Sequence, residues 1–186
     1  MRLERLARGH VVAAVAALAL LLIMAMDWYG SHEADQARQI ESTANTRGAE
    51  AGEVGRAVKQ DAERVIARDE KNAWQTTATI DRVLLAFLLL TVFLPLAAAT
   101  ARAAGRRFQP PFTPSGAAMS TAVVAGLLVA YRIIEKPGAD SLTTLKIGAP
   151  LALIAIALVG LGAADSFQKE LDWAAMRRAA RTPDGS

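Results

Sequence analysis

Charged and apolar positions are sharply segregated along this chain. Four stretches carry no charge and consist mostly of Ala, Val, Leu and Ile: Val11 to Met26, Val83 to Ala101, Gly116 to Tyr131 and Ile147 to Ala164. At about 1.5 Å per helical residue, runs of this length with their flanks approach the roughly 30 Å of a bilayer core. The pattern predicts an all-α polytopic membrane protein, a four-helix transmembrane bundle with spans over 10–29, 80–101, 116–134 and 147–165. Pro95 lies inside the second run, where a membrane helix tolerates proline with a kink. The prolines of 108–114 forbid a helix through the second connection, and Ser115 is placed to cap the helix that follows.

The flanks orient these helices. Arg2, Arg5 and Arg8 precede the first run, Arg102, Arg106 and Arg107 follow the second, and Lys169, Arg177, Arg178 and Arg181 follow the fourth. Four spans put all three basic segments (1–9, 102–115 and 166–186) on one side, which the positive-inside rule makes cytoplasmic. A cleavable signal peptide competes for the first run. Met24, Met26, Asp27 and Trp28 fill the zone where small residues would be needed, so an uncleaved span is expected. Trp28, Tyr29 and Trp74 then fall at the outer interface as aromatic anchors.

Residues 27–82 hold 11 acidic and 8 basic side chains, nearly half of the chain's charge. Within them, 30–79 form an extracytoplasmic segment without proline, rich in Ala, Glu, Gln and Arg, so helix is the default. Gly48, Gly52 and Gly55 divide it into two helices. The expected apolar face is thin: Ile40, then Val54, Val58, Val65 and Ile66. So few apolar groups cannot offset an ordering cost of about 1–2 kcal/mol per residue. The segment is therefore either a helical hairpin resting on the outer ends of the spans or on a partner, or partly disordered. A shorter outer loop, 135–146, joins the last two spans. The tail, 166–186, reads as an amphipathic helix with Phe167, Leu171, Ala174 and Ala175 on one face. It either continues the fourth span or lies along anionic lipid.

Composition removes several chemistries. With no cysteine in 186 residues, disulfides, thiolate metal sites and thiol nucleophiles are excluded. The net charge of +3 and pI near 9.6 are explained by topology and do not call for nucleic acid. No ionisable residue interrupts the four runs, which disfavours a proton relay or a charge-ring pore. Their hydroxyls, Thr91, Thr100, Ser120 and Thr121, can bond back to helical carbonyls. His10 and His32 belong to opposite faces and cannot share a metal, and His32-Glu33-x-Asp35 is an ordinary polar stretch. No cofactor, metal or catalytic site is expected. At the outer ends, Asp81 and Arg82 open the second span while Arg132 and Glu135 close the third. We expect Asp81 to pair with Arg132 and Arg82 with Glu135 at the half-buried interface.

Met26-Asp27-Trp28-Tyr29-Gly30, Asn72-Ala73-Trp74-Gln75 with Ile80-Asp81-Arg82-Val83-Leu84-Leu85, and Tyr131-Arg132-Ile133-Ile134-Glu135-Lys136-Pro137-Gly138 carry a likeness. The chain resembles a group of uncharacterised, actinobacterial-type small four-span integral membrane proteins. In them the first span often ends Leu-Pro-Trp-Tyr-Gly and the third Tyr-Arg-Leu-Ile-Asp-Pro-Pro-Gly. The resemblance covers the spans but not 31–71. It implies a plasma-membrane protein and transfers no functional residue. The expected role is non-enzymatic: structural, scaffolding or partner-binding, in contact with the lipid bilayer, with a protein partner or homo-oligomer. The alternative is a small transporter or channel subunit acting as an oligomer.

Overall fold

The computed structural model describes residues 8–46, 53–75, 79–105, 113–135 and 143–179. In chain order the elements are α1 (Arg8–Ile23), β1 (Asp27–Ser31), α2 (His32–Thr46), α3 (Glu53–Asp69), β2 (Lys71–Asn72), α4 (Thr79–Ala103), α5 (Pro114–Ile134), β3 (Thr143–Leu145) and α6 (Gly148–Ala179). Helix dominates. Three helices, α4, α5 and α6, are long and apolar enough to cross a membrane; α1 is apolar but has 16 residues.

The four apolar helices close into a ring. α1 packs on α6 and α4, and α5 packs on the same two. Their inward faces follow helical spacing and are built from small residues. On α1 these are Ala13, Ala16, Ala17 and Leu20; on α5 they are Ser115, Ala118, Ala122, Ala125, Val129 and Arg132. α6 contributes Ala152, Ala155, Val159, Gly162, Ser166 and Glu170. The larger side chains point outward: Val15 and Leu22 on α1, Leu127 and Ile134 on α5, Ile154 and Leu161 on α6. Close approach is tightest where α1 crosses α6. A Cβ on Gly162 would lie 2.7 Å from both Ala13 N and Gly9 O, so only glycine fits.

The bundle is not the whole architecture, and the all-α expectation is corrected here. A three-stranded antiparallel sheet of order β2-β1-β3 covers the end of the bundle where α1 finishes. Tyr29, Gly30 and Ser31 pair with Leu145, Thr144 and Thr143, while Asp27 and Tyr29 face Asn72 and Lys71 across an irregularity. The cause lies in the unmet backbone groups at the end of α1. Beyond Ile23 no further helical turn is made, and orphan carbonyls need donors. Trp28 Nε1 donates to Ile23 O at 3.0 Å and Ala73 N donates to Met24 O at 3.2 Å. The first apolar helix therefore stops short of residue 29, and extended chain replaces its last turns.

The hairpin expected over 30–79 is present, and it packs down. Ser31 Oγ accepts from Ala34 N at 3.0 Å, capping α2, and donates to Asp69 Oδ2 at 2.7 Å at the end of α3. α2 and α3 meet through Ala34, Ala37 and Ala62, whereas Ile40 and Val58 are exposed. Alanines make this interface because they let two short helices approach closely. The link containing Gly48 and Gly52 lies outside the described residues, and Gly55 lies within α3.

Charge fixes the hairpin to the sheet. Arg38 donates through Nε to Glu70 Oε1 at 2.6 Å and through Nη2 to Asp27 Oδ2 at 2.8 Å. Glu70 holds the Arg38 guanidinium above its usual range, chiefly by hydrogen bonding. Lys146, just after β3, bonds Asp35 of α2 and sits 3.9 Å from Glu70. Asp35 and Arg38 thus reach other elements instead of supporting each other within α2. Asp61–Arg64, at 3.3 Å, is a local i,i+3 pair within α3.

Candidate functional site

Polar groups collect at both ends of the bundle, and α5 links them: its buried stripe begins at Ser115 and ends at Arg132. At the sheet end, Asp81 in the first turn of α4 accepts from Arg132 Nη2 in the last turn of α5, at 2.5 Å. The two side chains are only 15% and 10% exposed. A carboxylate at a helix N-terminus and a guanidinium at a helix C-terminus also suit the helix dipoles. Tyr29 Oη donates to Arg132 O at 3.1 Å, joining β1 to the pair. Trp28, Tyr29, Lys71, Gln75, Asp81 and Arg132 line a cavity of about 30 Å³, room for a water molecule but not for an organic substrate.

The structure therefore brings Asp81 and Arg132 together. It does not pair Arg82 with Glu135; Glu135 ends α5, its backbone N–H donating to Tyr131 O at 2.7 Å. Trp28 and Tyr29, expected to face an interface, are turned inward. Trp28 is 1% exposed and belongs to the main hydrophobic core. β1 is the central strand of the sheet and lies against the bundle, so Trp28, Tyr29 and Gly30 are buried in succession. Of the three expected anchors, Trp74 alone has an open ring.

The opposite end holds a cluster to which all four apolar helices contribute. Glu170 of α6, 4% exposed, is its hub. Its Oε1 accepts from Arg102 Nη2 of α4 at 2.6 Å and from Ser115 Oγ of α5 at 3.0 Å. His10 Nε2 of α1 lies 3.9 Å from the same oxygen. Ser166 Oγ, one turn before Glu170, is 3.0 Å from His10 Nδ1 and 3.0 Å from Gly162 O. Glu170 Oε2, His10 Nε2 and Arg102 Nε are buried without a hydrogen-bond partner among the described residues. Around this core, Asp165 and Lys169 pair at 2.6 Å.

Serine, imidazole and carboxylate in one line suggest a nucleophilic triad, but the geometry does not make one. Ser166 is 1% exposed and its hydroxyl donates to its own helix, so no substrate can reach it. No group of three or more His, Asp or Glu among the described residues is arranged to hold a metal. The cluster is a polar strut joining four helix ends.

One expectation changes with it, and of the two alternatives for the tail the first is found. Thr113, not Ser115, caps α5, accepting from Gly116 N at 3.1 Å, which frees Ser115 to reach Glu170. The tail continues α6 as one helix to Ala179. Its buried side carries Ser166 and Glu170, while Leu171 is on the exposed side. The small-residue stripe Ala152, Ala155, Val159, Gly162, Ser166 points at Glu170 and was the available signal. Trp173, stacked with Arg177 at 3.4 Å from the ring centre, also went unpredicted.

No protein-family model, curated protein or solved structure matches this chain.

Proposed function

We propose that the chain is a four-span plasma-membrane protein that holds a rigid extracytoplasmic head and has a structural or partner-binding role. The observation that carries the membrane reading is the spacing of the two polar ends. From Ser115 to Arg132 along α5 is about 26 Å and from Asp81 to Arg102 along α4 about 32 Å, which brackets a bilayer core. Between them the surface is lined by large aliphatic side chains and the interior by small ones, the arrangement expected where the solvent is lipid. α1 shares it: Val11, Val15, Leu18 and Leu22 face out at helical spacing. On this reading α1 is the fourth span, closed at its outer end by the sheet. The basic flanks place both termini in the cytoplasm, and Trp173–Arg177 stands at the inner headgroups.

The head supports a binding role. Two ion-pair groups and a sheet fix α2–α3 to the bundle, so the protein presents one preset outer surface. The interior supports a non-transporting one: Leu20, Leu88, Thr91, Val92, Val129 and Val159 fill the middle of the ring. Purified protein in liposomes is expected to conduct neither ions nor small solutes, and sustained flux would contradict this reading. A photo-crosslinker at exposed Ile40 of the head should give a discrete adduct in cells, and one at lipid-facing Val83 should not. Equal yields at both positions count against partner binding.

A further inference from the structure

We propose that His10 is a proton-sensing site, a ring kept neutral at the Glu170 cluster whose protonation loosens the closure of all four helix ends. Ser166 fixes the tautomer of the ring. Its hydroxyl has one hydrogen and two neighbours at 3.0 Å, Gly162 O and His10 Nδ1. Gly162 O is a pure acceptor and takes the hydroxyl hydrogen, so Ser166 Oγ accepts from Nδ1–H. The ring's other nitrogen, Nε2, is then the basic one. It is buried, has no hydrogen-bond partner among the described residues, and faces Glu170 Oε1 at 3.9 Å.

That carboxylate is already neutralised. Arg102 Nη2 lies 2.6 Å from the same oxygen and Ser115 Oγ 3.0 Å from it, while Oε2 has no hydrogen-bond partner among the described residues. The groups around His10 are Arg102 from α4, Ser115 from α5 through Glu170, and Glu170, Asp165, Lys169 and Ser166 from α6. Asp165 is paired with Lys169, so each carboxylate near the ring has its own cation. A proton on Nε2 adds a charge to a site where each carboxylate already has a cation, in a position 5% exposed. The neutral ring suits the native state, whereas an unfolded chain lets it charge freely. Stability is then full above the ordinary histidine range, near pH 6.5, and is lost as pH falls below it. Since α1 meets α6 here, the expected response is movement of α1 away from Ser166 and Glu170.

Only two histidines exist in the chain, so few groups titrate between pH 7.5 and 5.5. The test is thermal unfolding of the full chain in detergent across that range. Wild type should lose about 3 °C of Tm on acidification. His10→Asn, which keeps a donor near Ser166 but cannot charge, should flatten the profile; His32→Asn should leave it unchanged. A flat wild-type profile, a rise in Tm on acidification, or a drop that survives in His10→Asn would each overturn the proposal. If His10→Asn fails to fold, the absence of native cysteine allows a second readout. Spin labels at Val12→Cys and Gln168→Cys should separate or broaden at pH 5.5 in the otherwise wild-type chain. An unchanged distance overturns the proposal.

Discussion

Each end of the bundle is tied by a buried ion pair, yet the two are built differently. At the sheet end, Asp81 and Arg132 are a simple pair between neighbouring helices, beside a cavity that can admit water. At the other end, Glu170 gathers Arg102, Ser115 and, at longer range, His10, one group from each remaining helix. The first pair can lose a partner and let solvent in. The second is a hub whose removal leaves Arg102 of α4 and Ser115 of α5 without their common acceptor. A single pair beside a water-sized cavity at one end and convergence on one carboxylate at the other set the order of what should break.

Glu170→Ala should cost most, about 3 kcal/mol, at the low end for a broken buried pair because Arg102 is partly exposed and can turn toward water. Chemical unfolding in detergent measures it. Asp81→Asn should cost about 2 kcal/mol by the same measurement, since a charge-assisted bond is lost but the cavity softens the penalty. A larger loss for Asp81→Asn than for Glu170→Ala would reverse the contrast between the two ends. Gly162→Ala should cost about 1–3 kcal/mol by overpacking against the α1 backbone and should weaken the inner cluster selectively. Gly126→Ala, whose Cβ meets only Ile156 Cγ2 at 3.5 Å, is expected to be neutral or slightly stabilising. Arg64→Ala, at a pair more than three-quarters exposed, should leave the unfolding midpoint unmoved.

The four apolar helices, the outer hairpin and the Asp81–Arg132 pair were readable in the chain because each follows a local rule. Apolar runs mark helices, an acid opening one helix meets a base closing the next, and alanine-rich polar sequence without proline folds as helix. The predicted hydroxyl back-bonds are also found, Thr91 to Phe87 O at 2.8 Å and Thr121 to Ala118 O at 3.1 Å. What escaped depends on contacts distant in sequence. β1 exists because Lys71–Asn72 and Thr143–Leu145 arrive beside Asp27–Ser31, and no short-range pattern announces that. Trp28 and Tyr29 look like interfacial anchors until the strand buries them. Glu170 was hidden because its partners Arg102 and Ser115 lie 68 and 55 residues away in sequence, although continuation of the fourth helix through the tail was one of the two readings open. His10 sits 156 residues from Ser166, and only the closed ring brings them together.

The central claim is that α1 is a membrane span, which puts the chain's start and its head on opposite sides. Single cysteines at Arg8 and at Ser42 of α2 can be introduced into this cysteine-free chain and probed in intact cells with a membrane-impermeant thiol reagent. The account predicts that Ser42→Cys reacts from outside while Arg8→Cys reacts only after permeabilisation. If both react from the same side, α1 does not cross, and the four-span account is contradicted.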